Sequence, residues 1–388
     1  DSLDVSRRSA PSLITLACFA ALAAACGVGE ATTSDSGGPV ISRPGTSAPS
    51  STAAASATPA PTTTLAGTTT TATTAAPAPT TTAAPQPITI ALAGDVHGEK
   101  QIAAVLAEGK NPLEFAAPVL TAADVAVVNL ETVVGDAGKP QTKTFVFRAP
   151  PSLLTALRDA GVDVVSTANN HSFDFGRDGL LETLRQIAEA GLGQIGSGNN
   201  ATEAYAPLII DVRGTKVALL GIARVGPSDA GRATAQRAGT TNGKDIASVV
   251  AAIKAAKAQA PIVIAFMHWG IELDRCPQIA DRDFAQSMLN AGASAVVGAH
   301  PHVLQGISTP SGKLVAYSLG NFVFYASRDA ARDSGVLTLN FSPAGDLLDH
   351  QFTPMRIDTR GRPVPVEGDA AAAAVAEIES LAPDKGGC

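Results

Sequence analysis

Histidine is rare in this 388-residue chain, yet five of its six histidines follow short apolar runs that are typical of buried strands. Carboxylates and amides share these positions, and the full set is Asp95, His97, Asn129, Glu131, Asn169, Asn170, His171, Asp174, His268, His300 and His302. Neutral imidazoles with carboxylates form a mixed nitrogen and oxygen ligand set that suits Zn, Mn or Fe. The set is too large for one tetrahedral ion, and it predicts two divalent ions that share a bridging carboxylate.

The elements that must position these residues alternate between strands and helices. The apolar runs cover residues 88–95, 125–131, 162–171, 216–224, 261–270, 293–300 and 313–321. Helical patterns lie between several of them, and most end at a glycine in the C′ position. This alternation predicts an α/β fold with a parallel or mixed sheet, and in such sheets ligand sites form at the carboxyl edge. Beyond residue 333, a turn at residues 343–346 predicts a β-hairpin added at the sheet edge.

The N-terminal region is typical of an exported protein. Arg7 and Arg8 precede an apolar run, residues 11–26, which ends in the sequence LAAAC at Cys26. This pattern predicts a signal peptide, residues 1–26, and resembles a bacterial lipoprotein box. A cleaved secretion signal and a retained membrane anchor are the alternatives.

Composition divides the rest of the chain into a linker and a folded domain. Residues 27–86 consist almost wholly of Thr, Ala, Pro, Ser and Gly, which predicts a disordered linker. We expect the folded domain to span residues 87–388. The net charge of −7 and the absence of any Lys/Arg run argue against a nucleic-acid partner. Outside the signal segment, Cys276 and Cys388 are the only cysteines, and we expect them to form a disulfide in an exported chain.

Seven ordered motifs resemble the CapA family of poly-γ-glutamate capsule synthesis proteins, which are related to the calcineurin-like metallophosphoesterases. The motifs are GDVHGE, VNLE, FVFRAP, STANNHSFDFG, MHWGIEL, GAHPHVLQG and YSLGNFVF, within residues 88–330. The resemblance implies a metallophosphoesterase-like α-β-β-α sandwich, in which two mixed sheets are flanked by helices.

Carried over position by position, the resemblance implies a set of metal ligands: Asp95, His97, Glu131, Asn170, His268, His300 and His302. Glu131 takes the place of the bridging aspartate of the phosphoesterases. Because this is a departure from their pattern, a site with one ion is the alternative to a site with two. The pattern also implies that His300 and His302 bind different ions, with Pro301 stiffening the turn between them.

Other residues of the motifs suit catalysis and substrate binding. His171 could protonate a leaving oxygen while Asp174 orients its ring, although Asp174 could instead cap a helix or turn. Arg148 could neutralise an anionic substrate or form a surface salt bridge. Asn321 and Gln305 could support the ligands through hydrogen bonds, or serve as turn or capping residues. Trp269 could form the floor of the pocket or belong to the core.

These observations leave three functional hypotheses. The first is a metal-dependent hydrolase or transferase, lipid-anchored at the outer face of the cell membrane, that acts on a phosphate ester or an anionic envelope polymer. The second is a non-catalytic factor that binds nascent polymer for membrane-bound capsule synthesis partners. The third, a solute-binding lipoprotein, leaves the histidine array unexplained.

Overall fold

The computed structural model describes residues 40–43 and 86–388, and the structural statements below concern these residues. The predicted signal peptide lies outside them, as does the predicted linker apart from residues 40–43 and 86. Val40–Arg43 forms strand β1, which pairs in parallel with Leu208–Val212. Its VISR sequence contains two β-branched residues and differs from the Thr/Ala/Pro repeats around it.

Eighteen further strands and eight α-helices follow in the described part of the chain. The strands are β2 (Ile88–Val96), β3 (Val125–Leu130), β4 (Val133–Val134), β5 (Arg148–Ala149), β6 (Val164–Ser166), β7 (Gly193–Ile195), β8 (Ser197–Gly198), β9 (Leu208–Val212), β10 (Thr215–Ala223), β11 (Gly239–Thr240), β12 (Ile262–His268), β13 (Ala295–Ala299), β14 (Ile307–Ser308), β15 (Leu314–Ala316), β16 (Asn321–Val323), β17 (Asp333–Phe341), β18 (Leu347–Ile357) and β19 (Pro363–Pro365). The helices are α1 (Gln101–Ala107), α2 (Ala117–Thr121), α3 (Ser152–Asp159), α4 (Gly176–Glu189), α5 (Ala201–Tyr205), α6 (Ile246–Lys257), α7 (Ile279–Ala291) and α8 (Gly368–Ser380).

Two mixed sheets form the centre of the fold. The first has the strand order β19-β18-β17-β2-β3-β6-β7, and β16 also pairs with β2. The second has the order β1-β9-β10-β12-β13-β15-β14. In the first sheet β2, β3, β6, β7 and β16 run parallel, and β17, β18 and β19 add antiparallel strands on the other side of β2. The predicted C-terminal hairpin is therefore present as β17 and β18, and it extends this sheet.

Alternating apolar residues allow each sheet to bury both faces. In β2, Ile90 and Leu92 pack into a core cluster that also contains Leu219 and Ile264 of the second sheet. The alternate residues of β2, such as Ala91, face a separate cluster formed with α3 and α4. A third cluster lies between the second sheet and helices α6 and α7. The predicted α-β-β-α sandwich is thus confirmed: the inner faces of the sheets meet, and helices cover the outer faces.

The helices begin and end where short-range interactions dictate. At the start of α6, the side chain of Asp245 accepts a hydrogen bond from the backbone N–H of Ser248 at 3.1 Å. Gly161 and Gly191 occupy the C′ positions of α3 and α4, as the glycine pattern predicts, and Gly292 is the C-cap of α7. All three glycines have positive φ. In the described residues, no helix combines the length and the apolar character that a membrane crossing requires.

Each of the seven apolar runs contains a strand, and helices α3, α4, α6 and α7 lie between these strands as the helical patterns predict. Elements that were not predicted from the sequence include α1, α5, α8 and the strand β9. Because β9 pairs antiparallel with β10 through a two-residue connection, it departs from the strand–helix alternation on which the prediction depended.

Candidate metal centre

The polar residues predicted at strand ends lie close together, because strands of both sheets end at the same place. Asp95 lies near the end of β2 and Glu131 directly follows β3, while His268 ends β12 and His300 directly follows β13. The two sheets connect here, because the backbone N–H of His300 donates to Asp95 Oδ2 at 3.3 Å. The expected carboxyl-edge position is therefore observed, and all four side chains are buried.

Two glycines allow the backbone segments of this region to approach closely. A Cβ at Gly94 would lie 1.8 Å from the carbonyl oxygen of Gly320, so a side chain there would push β2 away from the segment that carries Asn321. A Cβ at Gly298 would lie 2.0 Å from the carbonyl oxygen of Tyr317. Glycine at these positions lets the strands that present Asp95 and His300 fit against their neighbours.

Three groups of side chains place potential ligand atoms within 4.8 Å of one another. They are Glu131 with His268 and His300, Asp95 with Glu131 and His302, and Glu272 with His300 and His302. Glu131 is shared by the first two groups, and the two histidines of the HPH sequence are divided between those groups. Asn170 adds an amide oxygen to the first group, since its Oδ1 lies 2.9 Å from His268 Nε2.

Unsatisfied buried atoms indicate that these groups suit a cation. Among the described residues, both carboxylate oxygens of Glu131 and Nδ1 of His300 are buried and lack a hydrogen-bond partner. His268 Nε2 approaches Glu131 Oε1 to 3.4 Å without hydrogen-bond geometry. A buried carboxylate without a donor is costly, and a bound cation would offset that cost. The residues therefore fit a divalent metal site.

Burial keeps two of the imidazoles neutral. It lowers the pKa of His268 to about 3 and that of His300 to about 2. Burial, followed by the nearby Asp95 charge, raises the pKa of Glu131 to about 8. Neutral imidazole is the form that binds metal ions, so these histidines need not lose a proton before they bind one.

His302 differs from the other two histidines in its charge. Burial would lower its pKa, but the charge of Glu131 and the hydrogen bond and charge of Asp95 outweigh burial and raise this pKa to about 10. Its Nδ1 lies 3.1 Å from Asp95 Oδ2 and 2.9 Å from Asn321 Oδ1. The Nδ2 of Asn321 also donates to the His302 carbonyl at 3.2 Å, which is the supporting contact expected of this residue.

The HPH turn has an unusual backbone. His300 has φ 98° and His302 has φ 57°, values that residues other than glycine rarely adopt. Such residues cost about 1–3 kcal/mol each and occur mainly where the surrounding structure imposes them at functional sites. The carbonyl of Pro301 accepts a hydrogen bond from the backbone N–H of Leu273 at 2.8 Å, which ties the turn to the HWGIEL segment.

The side chain of Asn129 contacts residues of two donor groups, Asp95 and His268. Its Nδ2 donates to Asp95 Oδ1 at 2.8 Å and lies 3.1 Å from His268 Nδ1, while its Oδ1 accepts from Asn169 Nδ2 at 3.2 Å. Both asparagines lie at predicted strand ends, where the sequence pattern indicates no individual role for them. Their contacts show that they orient the side chains of Asp95 and His268.

A second cluster lies beside the donor groups. His171 Nδ1 lies 2.7 Å from Asp174 Oδ2, which also accepts from the backbone N–H of Phe147 at 2.7 Å. Lys143 was not predicted, yet its Nζ contacts Asp174 Oδ1 at 2.5 Å and the Asn170 carbonyl at 3.1 Å. Asp174 makes the contact expected of a residue that orients His171, and it does not cap α4.

His97 lies apart from the three donor groups. Its Nδ1 is 3.3 Å from the backbone N–H of Glu99, and its Nε2 is 3.3 Å from the backbone N–H of Tyr325. The rings of Phe324 and Phe147 lie 4.1 Å and 5.1 Å from its own, centroid to centroid. The structure therefore places His97 in an aromatic cluster.

Three other predicted site residues also make contacts away from the donor groups. Arg148 donates to the Ala137 carbonyl at 2.7 Å and its guanidinium lies 3.5 Å from the centre of the Phe175 ring. Its Nη1 also lies 4.0 Å from Oδ1 of the exposed Asp136, which is the surface salt bridge expected as the alternative. Trp269 is fully buried in the core and donates to the Tyr317 carbonyl at 2.7 Å, so it does not floor the pocket. Gln305 donates to the Asp274 carbonyl at 2.8 Å and holds the loop after the HWGIEL segment.

A cavity of about 210 Å³ opens beside the donor groups. Residues from both clusters line it, together with aromatic and charged side chains that include Phe145, Phe147, His171, His302, Phe324 and Arg328. Glu272, which the sequence analysis did not select, also faces this cavity. Its place in the HWGIEL motif, four residues after His268, was the available signal.

A disulfide confirms the predicted pairing of Cys276 with Cys388. It joins the C-terminal residue to the loop that follows the HWGIEL segment. The guanidinium of Arg282 donates to the Cys388 carbonyl at 2.6 Å and adds a second connection. Cys388 is thus fixed close to the segment that carries Glu272 and Leu273.

Comparison with known proteins gives relatives that include capsule biosynthesis proteins. The chain is 31% identical over 260 residues to the PGA biosynthesis protein CapA of Bacillus subtilis, covering 66% of this chain and 67% of that one. It is 28% identical over 300 residues to the capsule biosynthesis protein CapA of Bacillus anthracis, covering 75% and 72%. A probable polyglutamine synthesis accessory protein of Mycobacterium tuberculosis is 28% identical over 254 residues, covering 61% and 67%.

Solved structures with a similar arrangement include a phosphatase from Mycoplasma pneumoniae, with a TM-score of 0.43, 12% identity and coverage of 70% of this chain and 95% of that one. The NAD nucleotidase of Haemophilus influenzae has a TM-score of 0.40, 14% identity and coverage of 76% and 56%. The profile of the bacterial capsule synthesis protein family, PGA_cap, matches residues 89–326, which is more than half of the chain. With the donor groups inside the matched region, the chain belongs to the PGA_cap family of bacterial capsule synthesis proteins.

Proposed function

We propose that this protein is a metal-dependent hydrolase of the cell envelope that acts in capsule synthesis, on a phosphate ester or an anionic polymer such as poly-γ-glutamate. The observation that supports it is the shared position of Glu131, whose buried and unsatisfied carboxylate belongs to two donor groups. A carboxylate between two groups of this kind is the arrangement that a two-metal hydrolytic site requires.

The proposed ligands divide between two ions, for which Mn, Zn and Fe are the candidates. Glu131, Asn170, His268 and His300 would hold one ion, and Asp95, Glu131 and His302 would hold the other. When bound, such ions supply Lewis-acid polarisation of a phosphoryl or carbonyl oxygen and activation of water. His97 is left out of this set because its ring nitrogens face backbone N–H groups.

The residues around the cavity suit the remaining steps of a hydrolysis. In the reaction, water adds to the phosphorus or carbonyl carbon, the bond to the leaving oxygen or nitrogen breaks, and that atom takes a proton. His171 lines the cavity, and Asp174 fixes its Nδ1, which leaves Nε2 to exchange the proton. Lys143 neutralises Asp174 and keeps the pair in place.

Charged groups near the cavity suit an anionic substrate. Arg328 lines it and is exposed, whereas Arg148, the arginine selected from the sequence, contacts a carbonyl and an aromatic ring. We therefore assign the neutralisation of substrate charge to Arg328. The proposed position at the outer face of the membrane, the lipid anchor and the membrane-bound capsule synthesis partners rest on the sequence of residues 1–26 and on family membership.

A second candidate is a non-catalytic factor that holds polymer while partners synthesise or export it. The names of the relatives favour it, because they describe biosynthesis and an accessory role, not hydrolysis. In this case the metal centre would bind carboxylates of the polymer and would show no turnover.

Metal analysis combined with a hydrolysis assay distinguishes the two candidates. The purified chain is assayed for bound Mn, Zn and Fe and for hydrolysis of bis(p-nitrophenyl) phosphate, before and after chelation. The hydrolase predicts turnover that chelation abolishes, that added metal restores, and that His302→Ala removes. His350→Ala is the matched control, since His350 is exposed and outside the donor groups. Tight metal binding without turnover would favour the polymer-holding factor, and a chain that binds no metal would overturn both.

A further inference from the structure

One wall of the cavity beside the donor groups is aromatic. Phe147 stacks on His171 with 4.1 Å between the ring centroids and 20° between the planes. The ring centroids of Phe324 and His302 lie 5.0 Å apart. The aromatic side chains thus contact both the residue assigned to proton transfer and a proposed ligand, which places apolar surface directly beside the reacting position.

The mouth of the cavity exposes large apolar side chains to solvent. Phe145 is 58% exposed and Leu273 is 38% exposed, and both line the cavity. Ile271, close to Leu273 in the chain, is 53% exposed. These are three of the seven large exposed apolar side chains in the described residues. Leu273 has φ 64°, and its backbone N–H donates a hydrogen bond to the Pro301 carbonyl. The fold therefore holds this apolar side chain at the surface in a strained backbone conformation.

The charges around the cavity are too few for a polyacid. Among the described residues, Arg328 is the one arginine or lysine that lines it, and Glu272 adds a carboxylate. Lys143 is already paired with Asp174. One exposed arginine can neutralise one anionic group, whereas successive carboxylates of a polymer would meet Glu272 and the apolar mouth.

We infer that this cavity binds the organic group of a phosphate ester and that this group is apolar. The phosphate would lie at the donor groups with Arg328, and the apolar group would lie on Phe145, Phe147 and Leu273. An apolar cavity of about 150 Å³ can hold benzene, so about 210 Å³ leaves room for a ring-sized group. This inference names the substrate class of the proposed hydrolase and so rests on that proposed function.

Binding of non-hydrolysable phosphonates tests the inference without relying on turnover. The full chain, loaded with Mn²⁺, is titrated by calorimetry with inorganic phosphate, methylphosphonate, phenylphosphonate, hexylphosphonate and a γ-linked glutamate tetrapeptide. We expect phenylphosphonate or hexylphosphonate to bind about tenfold more tightly than methylphosphonate. Whichever of these two compounds binds more tightly shows whether the organic group of the natural substrate is aromatic or aliphatic.

A matched pair of variants localises the effect. Phe145→Ser removes an exposed ring from the mouth and should weaken binding of the preferred phosphonate about three- to tenfold, with inorganic phosphate unchanged. Phe115→Ser removes an exposed phenylalanine that does not line the cavity and should change neither.

The outcomes separate the two proposals. Inorganic phosphate that binds while the phenyl and hexyl compounds bind no better than methylphosphonate would overturn this inference and leave the hydrolase standing. Tighter binding of the glutamate peptide than of either compound would also overturn it. If neither phosphate nor any phosphonate binds, both proposals fail.

Discussion

The rings of His300 and His302 lie 5.8 Å apart, centroid to centroid, and the two donor groups that share Glu131 divide these histidines between them. A single proline separates the residues in the chain, and both have positive φ. Because the strained turn points neighbouring side chains into different groups, two coordination spheres can form from one short segment. A third group, with Glu272, joins both histidines on the solvent side.

Removing either histidine should remove one ion. We expect His300→Ala and His302→Ala each to reduce bound Mn²⁺ by roughly one ion of the proposed two. Glu131→Gln should weaken both sites because its carboxylate is shared. Equilibrium dialysis followed by elemental analysis measures the stoichiometry, with His350→Ala as the control. Equal loss of both ions in each histidine variant would show that the groups do not act as separate sites.

Glu272 should tune the metal centre from the solvent side. Glu272→Gln keeps the size of the side chain but removes the charge, and we expect it to lower Mn²⁺ affinity about 10–100-fold. Calorimetric titration measures the affinity, and Glu367→Gln provides an exposed glutamate outside the donor groups. Unchanged affinity in Glu272→Gln would assign Glu272 to the cavity mouth alone.

Metal affinity should rise with pH. The metal-free chain holds a proton on His302 up to a pKa of about 10 and on Glu131 up to a pKa of about 8, and an ion must displace these protons. At a pH below its raised pKa each residue holds its proton, and this proton opposes metal binding. Metal affinity therefore increases from about pH 6 to pH 8, by up to about tenfold per pH unit for each proton released. Calorimetry in two buffers with different ionisation enthalpies counts the protons. A pH-independent affinity would contradict the proposed role of His302.

His171 should affect turnover without affecting metal content. We expect His171→Ala to slow bis(p-nitrophenyl) phosphate hydrolysis about 10²–10⁴-fold, because the proton donor is lost while the donor groups stay intact. Asp174→Asn should have a smaller effect, since the ring stays but its orienting carboxylate is gone. Rate measurements are paired with elemental analysis of each variant. A loss of bound metal in His171→Ala would mean that this residue supports the ligands instead.

The disulfide should stabilise the domain. Cys276 and Cys388 close a large loop, with a sequence separation of 112, and its removal in Cys276→Ser/Cys388→Ser should lower the free energy of unfolding by about 2–4 kcal/mol. Urea unfolding of the double variant and of the oxidised parent measures the difference. A thiol count that finds both cysteines free in protein purified without reductant would refute the bond itself.

The strand ends could be predicted because their signal is local. Short β-branched runs bounded by polar residues indicate buried strands, and a parallel sheet gathers the carboxyl ends of such strands at one edge. Asp95, Glu131, His268 and His300 therefore met in the structure as the pattern required. The same logic placed His97 with them, although its ring turned toward Phe147 and Phe324.

Side-chain direction could not be predicted, since it depends on partners that are distant in sequence. The sequence left two roles open for Arg148, and only the fold shows that it forms the surface salt bridge, with Asp136, and packs on the Phe175 ring. Lys143 lies in a segment with no distinctive pattern, and only the fold brings it to Asp174, which is 31 residues away.

The sequence by itself determined the α/β class, the two-sheet sandwich through its family motifs, the pairing of the last two cysteines and the edge at which the polar residues gather. These features depend on periodicity, composition and residue order, which the chain carries locally. The family motifs also implied that Glu131 is shared and that His300 and His302 belong to different groups. The tertiary structure alone decided that the ring of His97 packs against Phe324 and that an aromatic wall adjoins His171. Those last two relationships depend on packing between side chains from different segments of the chain, which no local pattern encodes.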